Sequence, residues 1–327
     1  MAAMPADRRS HRQRVRRARI RQKYGGGCGT PIRSSLTSEP LVFLRRNQIS
    51  NIGIVHSVPV SILLARVWRQ PGEHYWCVAL NGARKGMIEL LPVDDAEPAF
   101  EHSPLLKGAL LTLEYIETNG PIGLTPSKAL KRYFVEWAAE TFAWPHYTAE
   151  ELYYLNKVLN EADFVPLFML HDLLISLKLV RHQKGAMHIT KLGKQLRSHS
   201  GALWAVLAER IFGGFNVTPY ARYEVPFVGN WDVFLGVINV ETHSGCTDDH
   251  LCETLFGSRR ADQGMRHVNL RSAFYVHCLR SLVWLGLLHE STAGEGLNRQ
   301  RIFTKSPLWY AALRLETDMF IIERQVH

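Results

Sequence analysis

The sequence predicts an α+β, mainly helical protein in which one structural unit is written twice. Three observations carry this. Residues 173–191 read LLISLKLVRHQKGAMHITK. Residues 281–305 read SLVWLGLLHESTAGEGLNRQRIFTK. Both pass from an apolar helix end through a Leu-rich strand, a polar turn and a second strand to a Thr-Lys that opens another helix. This is the helix-then-hairpin order of a winged helix, so tandem winged-helix modules are expected. The third observation is the β-type text ahead of them: LVFL, ISNIGIV, VPVSILLARVWR, YWCVAL and GMIELL. Gln70-Pro71-Gly72-Glu73 and Asn81-Gly82 break these runs with good turn residues, and a small N-terminal antiparallel β region follows from the pattern.

Five segments result: a disordered basic tail (1–38), a β region and linker (39–98), a first module (99–212), a linker (213–230) and a second module (231–327). In the first module Ser103 is a good N-cap, Pro104 suits the first helical position and Gly120 ends the helix. Thr125-Pro126 opens a second helix with Ala129, Tyr133, Phe134 and Trp137 on one face. Thr148 and Glu151 form a capping box. A helix over about 163–178, a hairpin at Lys184-Gly185 and a helix from Lys191 complete the module. The second module repeats the plan with helices from about Trp231, from Thr247 and over about 269–285. A hairpin ending near Thr304 and a terminal helix opened by Thr304-Lys305-Ser306-Pro307 follow. The repeats align with an offset of 108 before the wing and 114 after it, and wing length is where such a fold tolerates insertion.

The formal charge of +9 suggests nucleic acid until it is located. Residues 1–46 hold twelve Lys/Arg against Asp7 and Glu39, a net of +10, so the remaining 281 residues carry −1. The folded body is therefore neutral. The tail RRSHRQRVRRARIRQKYGGG has almost nothing apolar to bury and is expected to be disordered alone. Its arginines suit non-specific phosphate contact. A solvated tail, or codons read upstream of the true start, is the stronger explanation.

The pattern GPIGLT, then Lys131-Arg132-Tyr133-Phe134, then FVPLFMLHDLLISLKLV, MHITKLGKQL and ALWAVLAERIF resembles bacterial winged-helix proteins, including the C-terminal half of a plasmid-borne Orf3-like family. The likeness covers about a third of the chain, residues 105–212, and rests on core and turn positions. It implies a winged helix in a bacterial chromosomal or mobile-element setting, and no catalytic residues.

A reader of DNA needs polar and basic side chains on its third helix. The first module's third helix is apolar nearly all round (Phe164, Val165, Leu167, Phe168, Leu170, Leu173, Leu174), which marks packing. Only its wing and the following helix are basic (Arg181, His182, Lys184, Lys191, Lys194, Arg197), and they suit backbone contact or simply a solvated rim. The second module gathers Arg259, Arg260, Arg266, His267, Asn269 and Arg271 at the start of its third helix, with Arg299, Arg301 and Lys305 in or beside the wing. Asp248, Asp249 and Glu253 oppose them. Duplex DNA is thus the first expected partner of a regulator-like, DNA-associated protein. A protein partner or homo-oligomer, with the winged helices serving as scaffold, is the second.

His243, Cys246 and His250 are weak metal candidates. Cys246 and His250 share a helix face, but the spacing matches no zinc module, and Thr247 as N-cap explains the segment. No Walker loop, GxGxxG, Gly-x-Ser-x-Gly or carboxylate cluster is present, so neither a cofactor nor catalysis is expected. Five scattered cysteines suit reduced thiols, and no apolar run reaches the roughly 20 residues of a membrane helix. A cytoplasmic protein is expected.

Overall fold

The computed structural model describes residues 88–221, 230–257, 270–294, 299–319 and 321. The basic tail and the β region up to residue 87 lie outside them. All described residues belong to one compact unit, Val58–His327.

The first half begins with β1 (Ile88–Leu90) and α1 (Pro104–Asn119). Ser103 Oγ accepts from the Leu106 N–H and caps the helix as expected. After β2 (Ile122–Gly123) comes α2, which starts at Arg132 and runs to Phe142, not at Thr125-Pro126. Thr125 Oγ1 accepts from the Ala129 N–H, Lys128 sits at φ 61°, and Leu124 bridges Leu130. A left-handed residue interrupts a helix, so this stretch becomes a turn. The capping box of Thr148 and Glu151 opens α3 (Ala149–Leu155). Then follow α4 (Val165–Ser176), the hairpin β3 (Val180–Gln183) and β4 (Ala186–Ile189), α5 (Lys191–Arg197) and α6 (Ser200–Phe212). Lys184 and Gly185 take φ 48° and 74°, the paired positive angles of a two-residue hairpin turn.

The second half runs α7 (Trp231–Glu241), β5 (Cys246–Thr247) and α8 (Asp248–Phe256), the last capped by Thr247. A π-helical turn, Tyr275–Leu279, leads into α9 (Arg280–Trp284). The hairpin β6 (Leu288–Ala293) and β7 (Gln300–Lys305), α10 (Pro307–Ala312) and β8 (Leu313–Leu315) finish it. Each half has a three-stranded antiparallel sheet of one order, β2-β4-β3 and β5-β7-β6. In both, the strand before the helices pairs with the second strand of the hairpin. This chain order and strand order are compatible with two winged helices. β8 pairs with β1, a partnership between distant parts of the chain.

The structure revises the register of the repeat after the wing. Lys178 (φ 58°) and Gly286 (φ 81°) occupy the same turn, 108 residues apart (286 − 178). Thr190 Oγ1 donates to the Lys178 carbonyl and caps α5. The residue that donates to the Gly286 carbonyl and caps α10 is Ser306, so the offset is 116 (306 − 190). Thr304 and Lys305 close β7 instead of opening the helix.

The buried residues of both halves form one continuous cluster. At the junction Trp204 Nε1 donates to the Leu285 carbonyl at 2.9 Å, and Trp144 meets Trp284 edge-on at 5.5 Å. A Cβ on Gly286 would lie 2.7 Å from the His102 carbonyl and the Ser103 nitrogen, so backbone touches backbone here. Glycine serves twice at this position, by the missing Cβ and by its positive φ.

Burial pushes the His277 imidazole down to about 4, and the nearby Arg280 charge adds to this. The folded state therefore holds His277 neutral where the unfolded chain, near 6.5, takes up a proton. Stability is full above about pH 6.5 and falls as pH drops toward 4. The expected loss is about 2–3 kcal/mol at 1.36 kcal/mol per pKa unit. Urea midpoints across pH 4–7 measure it, and His277→Leu should flatten that window.

Candidate functional site

Two surfaces carry the residues singled out from the sequence. In the first half, α4 is packed on nearly every side: Leu167, Met169, Leu170, Leu173 and Leu174 are all buried. Its one buried polar side chain, His171, belongs to an arrangement that sequence reasoning missed. His171 Nδ1 lies 2.6 Å from Glu161 Oε1, and its Nε2 lies 2.7 Å from His182 Nε2 on β3. Glu161 Oε2 accepts from the Leu130 N–H at 2.9 Å. With Glu161 accepting, His171 carries its proton on Nδ1, and His182 must donate from Nε2. A histidine inside a mainly apolar helix was the available signal; the next residue, Asp172, instead accepts from the Tyr220 hydroxyl at 2.8 Å.

On the outside of this half, Arg181, Lys184 and Lys191 are exposed and have no ion-pair partner among the described residues. Lys194 and Arg197 both reach Glu117. At the end of α3, Tyr154 and Leu155 stand 88% and 77% exposed, with Tyr153 and Val158 beside them in sequence. Burial and the Glu136 and Glu140 charges raise the Tyr153 phenol, so this patch has acidic neighbours.

In the second half Arg259, Arg260, Arg266, His267 and Asn269 lie outside the described residues. The remaining cations converge, and carboxylates meet them. Arg271 Nε approaches Asp248 Oδ2 at 3.1 Å and Nη1 approaches Asp249 Oδ1 at 2.7 Å. Burial alone would lower the Arg271 guanidinium; the two aspartates outweigh it and raise it. Arg301 bridges Asp248 and Glu290 at 3.3 and 3.0 Å and covers the Tyr275 ring at 4.1 Å. Lys305 turns inward to the backbone and side-chain oxygens of Asn239. Burial lowers its ammonium to about 8, against a raising contribution from Asp318. Among the described residues, Arg299 Nη2 reaches Thr292 Oγ1 at 3.4 Å.

The three metal candidates do not converge. His250 Nε2 faces Glu241 at 3.0 Å, and Cys246 is buried in β5 with its thiol pushed up to about 11 by burial and the Glu241 charge. Among the described residues no group of three or more His, Cys, Asp or Glu is placed to hold a metal ion. No helix among them is long and apolar enough to cross a membrane.

Asp248 is the centre of the second surface. It is fully buried, its Oδ2 serves both arginines, and its Oδ1 has no hydrogen-bond partner among the described residues. Asp248→Ala is expected to cost about 1–2 kcal/mol, less than a fully buried pair because both arginines are about a third exposed. It leaves Arg271 with Asp249 and Arg301 with Glu290, one carboxylate each, so any gain in duplex affinity at low salt should be small. Urea denaturation of Asp248→Ala measures the stability loss, and a variant as stable as the wild type would show that the buried carboxylate does not hold this surface together.

A family model described as the Y4jL N-terminal domain matches residues 101–202, and one described as the y4jL C-terminal domain matches residues 221–307. A Sinorhizobium fredii protein, named as uncharacterized protein y4jL, is 38% identical over 157 residues, 48% of this chain and 71% of that one. No solved structure matches.

Proposed function

The chain belongs to the family of the bacterial protein y4jL, and for this member we propose a non-catalytic interaction role, with two winged helices used as packing modules. One observation carries the reading. The first third helix, which would enter a groove, is built into the core as α4, and among the described residues of the second one Phe274, Cys278, Leu279 and Leu282 are buried. A helix buried by its own domain cannot present base-reading side chains. The likeness to Orf3-like winged-helix proteins belongs to the same reading. The exposed run of Tyr153, Tyr154, Leu155 and Val158 supports it, since clustered large apolar side chains mark contact surfaces.

The test joins light scattering with a low-salt gel shift. The expected result is an assembly larger than a monomer that Leu155→Ser dissociates, with no duplex retained by a chain lacking residues 1–38. A monomer whose tail-less form binds duplex overturns the proposal.

A second reading has its own observation. Arg181 and Lys184 on the first wing are exposed without carboxylate partners among the described residues, as backbone-holding cations would be. It makes the chain a sequence-tolerant DNA-associated protein. Replacing both by Gln should then reduce the slope of log affinity against log salt by about 2.

A further inference from the structure

Arg280 is a buried cation that the described residues do not neutralise. Its side chain opens α9 directly after the π-helical turn and is 8% exposed. Its guanidinium lies over the Trp284 ring at 4.7 Å, Nη2 reaches the Tyr220 carbonyl at a long 3.4 Å, and the Tyr147 phenol is near enough to act on its charge. A guanidinium has five N–H donors, and the Tyr220 carbonyl is the one acceptor within hydrogen-bond distance among the described residues. No carboxylate among the described residues comes within ion-pair distance of it. The neighbouring Glu290 is already committed, to Arg301 through Oε1 and to the Tyr275 hydroxyl through Oε2. Arg271 and Arg301, both more exposed, have two carboxylates each.

Leaving an ion in the interior without its counter-charge is unfavourable, and burial does lower this guanidinium below its usual range. The surroundings are drawn from three separate segments. Tyr147 precedes α3, Tyr220 lies in the short 3-10 helix after α6, and Tyr275 and His277 sit in the π-helical turn. π-helical turns within helices occur disproportionately at functional sites.

We propose that Arg280 and Tyr147 form the seat of a small oxyanion of the phosphate class, held at the junction of the two halves. The planar fork of a guanidinium matches two oxygens of such an anion, and the nearby Tyr147 hydroxyl has a proton to donate. Burial of the fork fits a free anion or a terminal phosphate, not a duplex backbone. This inference is independent of the interaction role.

The experiment is calorimetric titration of the full chain with inorganic phosphate and, separately, with adenosine monophosphate. Saturation near one equivalent is expected with at least one probe. Tighter binding of the nucleotide assigns the site to a terminal phosphate; equal or weaker binding assigns it to the free anion. Arg280→Met should abolish the heat, and Arg280→Lys, which keeps the charge and loses the fork, should weaken binding about tenfold. Tyr147→Phe should weaken it less, and serves alone if the Arg280 variants do not fold. Absence of saturable heat with both probes overturns the proposal, as does unchanged affinity in Arg280→Met or in Tyr147→Phe.

Discussion

Trp204→Ala is expected to lower the free energy of unfolding by about 3–5 kcal/mol, the range for removing a large aromatic from a filled core. Trp204 is fully buried on α6. Its Nε1–H also satisfies the Leu285 carbonyl in the turn after α9, in the other half of the fold. Alanine leaves both a cavity and an unpaired carbonyl. Trp204→Phe separates the two, since it fills most of the space and lacks the donor; its cost should be about 1–2 kcal/mol. Chemical denaturation followed by circular dichroism measures both. A loss under 1 kcal/mol for the alanine variant would show that the two halves do not lean on this residue.

Glu161→Ala is the second large effect, again about 3–5 kcal/mol. The carboxylate is buried between the Leu130 N–H and the His171 ring, so its removal strands a backbone donor and an imidazole together. Glu161→Gln should be far milder, for a reason that can be observed separately. The Gln carbonyl can still accept from Leu130, while its amide donates to His171 Nδ1. That forces the His171 proton onto Nε2 and makes His182 the acceptor, reversing every proton along the chain. Imidazole nitrogen shifts by NMR report the reversal directly. An alanine variant as stable as the wild type would sink the argument.

Local chemistry was readable and distant chemistry was not. Ser103, Thr148 and Thr247 cap the helices assigned to them because a cap needs only residues within one turn. Lys184-Gly185 turns the hairpin for the same reason. The start of α2 was misplaced because Thr125-Pro126 reads as a helix opening, and nothing local shows that Lys128 turns left-handed. The pairing of β1 with β8 joins residues such as Glu89 and Arg314, whose partnership no periodicity announces.

Of the candidate site, the composition showed acidic residues near the second basic set. It did not show which oxygen meets which guanidinium. Arg271 and Arg301 read as groove-facing cations in one dimension, and in three they share Asp248. Glu161, His171 and His182 come from a turn, a helix and a strand, so their contact exists only after folding.

The junction at Trp204 bears on how this protein can be inherited and engineered. The two matched regions end at residue 202 and resume at residue 221, and Trp204 falls in the gap between them. So do Leu207 and Ile211, both buried in the common core. A segment that neither region claims therefore helps to fasten one to the other. Either region transplanted alone would carry a raw seam of tryptophan and leucine into solvent, and aggregation is the expected fate. Portability belongs to the pair with its connecting helix and with β1, the partner of β8, so β1 through β8 move together.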